Sequence, residues 1–170
     1  MKTQIETERK FIIKMPDISI LEKMEGYTRD AIIQIYLPSA VGGTHRVRSR
    51  SSNGRTVYTE TEKIRISSAS SIEREGEISE ARFAELSKNI LEGTRPIKKT
   101  RHSFSFRGQV FEIDVYPEWE RCAVMEAELE DATAPLDIPN EISVISEVTG
   151  KKEYSNASMS RLFPPEIDYL

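Results

Sequence analysis

Apolar and polar residues alternate with a period of two along much of this chain, the spacing that sends successive side chains to opposite faces of a β-strand. Phe111, Ile113 and Val115 point one way, Glu112 and Asp114 the other; Met125, Ala127 and Leu129 likewise oppose Glu126, Glu128 and Glu130. The same period puts Glu6, Glu8 and Lys10 on one face near the N-terminus and Arg46, Arg48 and Arg50 on another. It also groups Glu73, Glu75 and Glu77, and pairs Lys99 with Arg101. Lys63 ends a run in which Thr59 and Thr61 share its side. Asn53-Gly54, two residues that tolerate positive φ, predicts a hairpin between strands at 46–50 and 57–66. Arg107-Gly108 predicts a second, between 99–106 and 109–116, and further strands are expected at 72–78 and 123–130. The serine-rich stretch 67–71 reads as a loop.

Helical spacing is rarer. A short helix is expected after Pro16-Asp17, with Ile18 and Leu21 facing inward. Ser79 can cap a helix that shows Phe83, Leu86 and Ile90 on one face and ends at Gly93. Beyond Pro139 the spacing of Ile142, Ile145 and Val148 predicts another helix, and Asn156 starts a last short one toward Leu162. The sum is about eight strands, mostly joined by hairpins, with a few helices.

A half-buried antiparallel sheet alternates apolar and polar as a rule, so any one of these strands alone reads as a solvated surface. Together they read differently, because each polar face is largely of one sign, whereas a sheet built only for solubility intersperses signs. Closed into a barrel, such strands would turn their charges toward a wet interior. That interior would need cations against the carboxylates and an anion against the arginines. Mg²⁺ and Mn²⁺ prefer oxygen ligands, and arginine forks match phosphate oxygens in pairs. A polyphosphate bridged by divalent metal would satisfy both sets. The chain has no GxxxxGK[ST] loop, so phosphate would be held by side chains and not by backbone N–H groups.

Composition narrows the partners. The 170 residues allow one domain, 1–170, with a real core. The 24 basic and 28 acidic residues leave a net charge of −4, which argues against nucleic acid as a partner. Cys122 is the only cysteine, which excludes an internal disulfide and a cysteine-based zinc site; His45 and His102 are too few for a histidine-based one. No run approaches the ~20 apolar residues of a membrane span, and no apolar signal core opens the chain. A cytoplasmic protein with no membrane partner is expected.

Glu6-Thr7-Glu8-Arg9-Lys10 matches the ExExK signature of the CYTH superfamily, also called triphosphate tunnel metalloenzymes. QIYL (34–37), RVR (46–48), TEK (61–63), EREGEI (73–78), IKKTR (97–101), FEIDVY (111–116), MEAELE (125–130) and EVTGKKEYSN (147–156) follow in the family's order. The resemblance therefore spans nearly the whole chain. It implies a β-rich α+β fold, an eight-stranded antiparallel β-barrel forming a tunnel with flanking helices. It implies a Mg²⁺ or Mn²⁺ cofactor and hydrolysis of inorganic triphosphate, or of thiamine or nucleoside triphosphates, with adenylate cyclases among the relatives. By position, Lys10, Arg46, Arg48, Lys63, Lys99 and Arg101 resemble the phosphate-holding set, and Glu6, Glu8, Glu126 and Glu128 the ligands of a first metal. Asp114, with Glu75 or Glu77, resembles the site of a second metal or of the attacking water; Glu73 and Glu112 share those faces.

The leading expectation is a metal-dependent triphosphatase whose partner is a triphosphate-containing small molecule, as a monomer or homodimer. Its rivals are an adenylate cyclase and a non-catalytic polyphosphate- or nucleotide-binding module. Ile35, where the family often has Gly, and Gly42-Gly43 before the arginine strand are departures that bear on the tunnel mouth and so on the choice of substrate. Trp119, His45, His102 and Cys122 are expected to pack or to face away from the charges, and Lys151 and Lys152 either close over phosphate or are solvated.

Overall fold

The alternating segments become long strands in a computed structural model, which describes residues 1–40 and 42–169. In chain order they are β1 (Lys2–Lys14), β2 (Glu25–Leu37), β3 (Thr44–Ser52), β4 (Arg55–Arg65), β5 (Ser70–Ile78), β6 (Ile97–Phe106), β7 (Gln109–Val115), β8 (Cys122–Glu128) and β9 (Val144–Glu147). The helices are α1 (Ile18–Leu21), α2 (Glu80–Ser87) and α3 (Asn156–Arg161), with a 3-10 turn at Lys152–Tyr154. The strands form one antiparallel sheet in the order β5-β4-β3-β2-β6-β7-β8-β1-β9, and β5 also pairs with β1. That last pairing closes eight strands into a barrel and leaves β9 appended to it.

Both predicted hairpins form. Asn53 and Gly54 take φ of 50° and 76°, Arg107 and Gly108 take 49° and 77°, the positive pair that a twisted two-residue turn needs. The outward apolar faces are covered in patches. Phe11, Ile13, Phe104, Phe111, Ile113 and Met125 pack with Leu21 of α1, while Ile35, Leu37 and Val47 pack with Phe83 and Leu86 of α2. A third cluster lies on the inward faces instead: Ile12, Tyr36, Ile97, Tyr116 and Val124 share the faces of Lys10, Lys99, Asp114 and Glu126, and gather the C-terminal segment through Trp119, Val148 and Met159.

Two expected helices change. The segment around Ile142, Ile145 and Val148 is not one helical face, because Ile142 joins the first cluster whereas Ile145 and Val148 join the third. Its middle is extended as β9, on the edge of β1 that β5 leaves open after Thr7. The helix capped by Ser79 does form, with Ser79 accepting from the Arg82 N–H, but stops at Ser87, and Ile90 is exposed. The chain turns there so that the Leu91 N–H can donate to the Tyr36 carbonyl. Trp119, His102 and Cys122 are buried as packing residues; Trp119 Nε1 donates to the Pro164 carbonyl and His102 Nδ1 bonds Tyr27. His45 turns away from the arginine face toward Glu60.

Candidate active site

Strand order sorts the inward charges into two walls. β3, β2 and β6 are neighbours, and from them Arg46, Arg48, Lys99 and Arg101 face a cavity of about 650 Å³. β7, β8, β1 and β5 follow one another round the ring and bring Glu112, Glu126, Glu128, Glu6, Glu8, Glu73 and Glu75 to the same cavity. Lys10 sits within the acidic wall, and Lys63 of β4 stands at the join.

Part of the basic wall lacks acceptors. Arg46 Nε, Arg48 Nε and Thr59 Oγ1 are buried without a hydrogen-bond partner among the described residues. Among the described residues Arg48 reaches only Glu75, with Nη2 3.4 Å from Oε1. Burial, and then the nearby guanidinium groups of Arg46 and Arg101, bring Arg48 down to about 10.

The acidic wall has the opposite deficit. Glu8 stands directly across from Glu128, and Glu112 across from Glu126. Like charges so placed destabilise a sheet. The Glu126 carboxylate, with burial second, pushes Glu8 up to about 8. Burial would also raise Glu126, but Lys10, at 3.4 Å, and Arg101 outweigh it and hold Glu126 at about 2. Glu6, Glu112 and Glu128 are all raised, each by burial first. Lys63 Nζ lies 3.0 Å from Glu6 and 3.3 Å from Glu73, and together with Glu8 these carboxylates outweigh burial and keep it protonated.

Glu75, Lys10, Arg46, Arg48, Lys63, Lys99, Arg101, Glu6, Glu8, Glu126 and Glu128 thus meet as the alternation suggested, and Glu73 and Glu112 line the cavity with them. Two predicted residues stand apart. Glu77 is exposed beyond the lining, which selects Glu75 as the cavity-facing member of that pair. Asp114 lies beneath the lining, with both its side chain and that of Lys99 only 1% exposed. It accepts from Lys99 Nζ at 2.7 Å and from Arg101 Nε and Nη2 at 2.7 and 2.9 Å. Burial would raise its carboxyl, but Arg101 and Lys99 win and hold it well below the usual carboxylate range. Asp114 therefore orients two cations and does not itself face the cavity.

Sequence reasoning missed Tyr36, which lines the cavity two positions beyond Gln34 on the same alternation. It also missed residues 155–158, which lie over one end with Lys152; Lys10 Nζ donates to the Tyr154 carbonyl there. A neighbouring cavity of about 330 Å³ shares Tyr36, Gly43, Thr44, Ala157 and Ser158 with this end. Among the described residues no three carboxylate, histidine or cysteine groups converge on one point as they would around a metal. Glu6 leans to Lys63, Glu126 to Lys10 and Glu112 to Arg101. The donors still fit a hard dication: all are carboxylate oxygens, and Glu8 and Glu128, opposed across β1 and β8, have no ion pair of their own among the described residues.

No family model and no curated protein sequence matches the chain. Solved structures do. The inorganic triphosphatase NE1496 is 27% identical over 94% of this chain and 97% of its own, with a TM-score of 0.55. PH1819 from Pyrococcus horikoshii OT3 shares the fold at 18% identity and TM-score 0.55, over 75% of this chain and 80% of its own. So does the candidate adenylate cyclase bh2851 of Bacillus halodurans, at 17% identity and TM-score 0.51, over 77% and 83%.

Proposed function

This chain has the CYTH fold, that of the triphosphate tunnel proteins, and on that premise we propose that it is a divalent-metal-dependent triphosphatase acting on inorganic triphosphate or a small organic triphosphate. One observation carries the reading: a single cavity holds buried guanidinium donors without acceptors on one wall and carboxylates crowded face to face on the other. An anion alone would aggravate the acidic wall and a cation alone the basic wall. A triphosphate together with a divalent cation answers both. The likeness to NE1496, an inorganic triphosphatase, supports the same reading.

Arg46, Arg48, Lys99 and Arg101 grip the phosphate oxygens from one side, with Lys63 and Lys10 adding point charge from the other. Asp114 keeps Lys99 and Arg101 aimed inward. Glu6, Glu8, Glu126 and Glu128 would hold Mg²⁺ or Mn²⁺, which when bound supplies charge neutralisation at the phosphate oxygens. Hydrolysis then needs little covalent work from the protein. A water oxygen attacks the terminal phosphorus in line, its proton passes to the Glu75 carboxylate, and the bridging P–O bond breaks to release orthophosphate and pyrophosphate from inorganic triphosphate. Glu75 is prepared for this by Thr61 Oγ1 at 2.9 Å and by Arg48, which fix one of its oxygens.

The 330 Å³ side cavity is the observation that favours an organic substrate, ATP included. Purified protein incubated with Mg²⁺ or Mn²⁺ and either triphosphate or ATP separates the readings. Orthophosphate release is expected. Cyclic AMP with pyrophosphate would instead make the chain a cyclase, and ligand-induced thermal stabilisation without any product would make it a binding module.

A further inference from the structure

The basic wall runs on past the phosphate grip just described. Arg46, Arg48 and Arg50 are spaced two apart on β3 and all face the cavity, so the outer two are separated by about 13 Å along the strand. A triphosphate is only about as long as one of those two steps. Arg50 differs from its companions. Its Nη2 lies 2.7 Å from Asp30 Oδ2, its side chain is 41% exposed, and Asp30 behind it is buried. Asp30 pairs across β2 and β6 with Arg101, so this pair marks the end of the basic wall away from Lys152 and residues 155–158. A guanidinium has five N–H donors, and one bond to Asp30 leaves the others for a ligand. Thr59 Oγ1, buried without a partner and across from Arg48, adds a hydroxyl donor on the way.

We propose that Arg50, anchored by Asp30, forms a further anion subsite at this end of the cavity that takes the outer phosphates of linear inorganic polyphosphates longer than triphosphate. The subsite rests on the triphosphate reading for the inner phosphates and sets chain-length preference beyond them. The test compares triphosphate, tetraphosphate and a longer linear polyphosphate at fixed Mg²⁺ and ionic strength, by competition binding and by phosphate release, in wild type, Arg50→Gln and Arg50→Lys. Wild type is expected to bind the longer chains about tenfold more tightly than triphosphate, the effect of a charged hydrogen-bonded contact. Arg50→Gln should remove that gain and leave triphosphate affinity within about twofold, and Arg50→Lys should keep part of the gain. Equal affinity for all chains in wild type overturns the proposal. So does an equal loss for triphosphate and longer chains in Arg50→Gln, which would move Arg50 into the inner grip. Wild type that binds longer chains but not triphosphate would support the subsite and defeat the triphosphatase reading; wild type that binds none defeats both.

Discussion

Glu8, Arg48 and Asp114 are all ionisable residues of one interior, and their surroundings give them three different expected phenotypes. Glu8 is raised to about 8 from a usual 4.5, so protonation favours the folded metal-free protein. That contribution is intact below pH 4.5 and is lost as pH rises through about 8. Melting temperatures of the metal-free protein should therefore fall over this window more steeply in wild type than in Glu8→Gln. The same variant should fold normally yet lose Mg²⁺-dependent turnover; full activity would remove Glu8 from the metal set. Arg48→Ala takes away a guanidinium crowded by Arg46 and Arg101, so triphosphate affinity should drop about tenfold or more while the melting temperature holds. Asp114→Asn breaks a buried pair and should cost about 3–5 kcal/mol in equilibrium unfolding. Alternation told which face each of these residues takes. It did not tell depth: Glu112 and Asp114 are two apart on one strand, yet only Glu112 reaches the cavity. Depth depends on the cations opposite, and those come from another strand.

Elements were legible where a local cause sets them. The two hairpins follow from turn residues that accept positive φ, and α3 starts at Asn156 as expected, where the structure adds a cap from Ser155, which accepts from the Ser158 N–H. They were illegible where a distant partner decides. Residues 25–33 show no clean alternation but form the first part of β2 because β3 and β6 pair with that strand on either side. β9 is extended because β1 offers it an open edge. Gly43 shows how closely two elements can be tied: a Cβ there would lie 2.1 Å from the Lys63 carbonyl oxygen. Gly43→Ala should therefore push the start of β3 off the end of β4, lowering stability by about 2 kcal/mol or more. Because Arg46 and Lys63 flank that contact, phosphate affinity should fall in the same variant. A melting temperature and a triphosphate affinity both equal to wild type would show that the two strands separate freely.

At the scale of the whole molecule, like charges crowded within each half-ring oppose closure of the barrel, so a ligand that carries both signs should stabilise it. Triphosphate with Mg²⁺ at a hundred times its dissociation constant should add about 2.7 kcal/mol, a rise of about 5–10 °C in melting temperature for a chain of this size; either ion alone should add much less. β1 takes part in this in a second way. Its residues 2–7 pair with β5 and its residues 8–14 with β8, so the strand bearing Glu6, Glu8 and Lys10 is also the one that shuts the ring. Loading the interior should therefore tighten the seam that fastens the cylinder. Slowed amide exchange along that one stave would register it, and a fusion tethered to the first residues would loosen the clasp as well as blunt the chemistry.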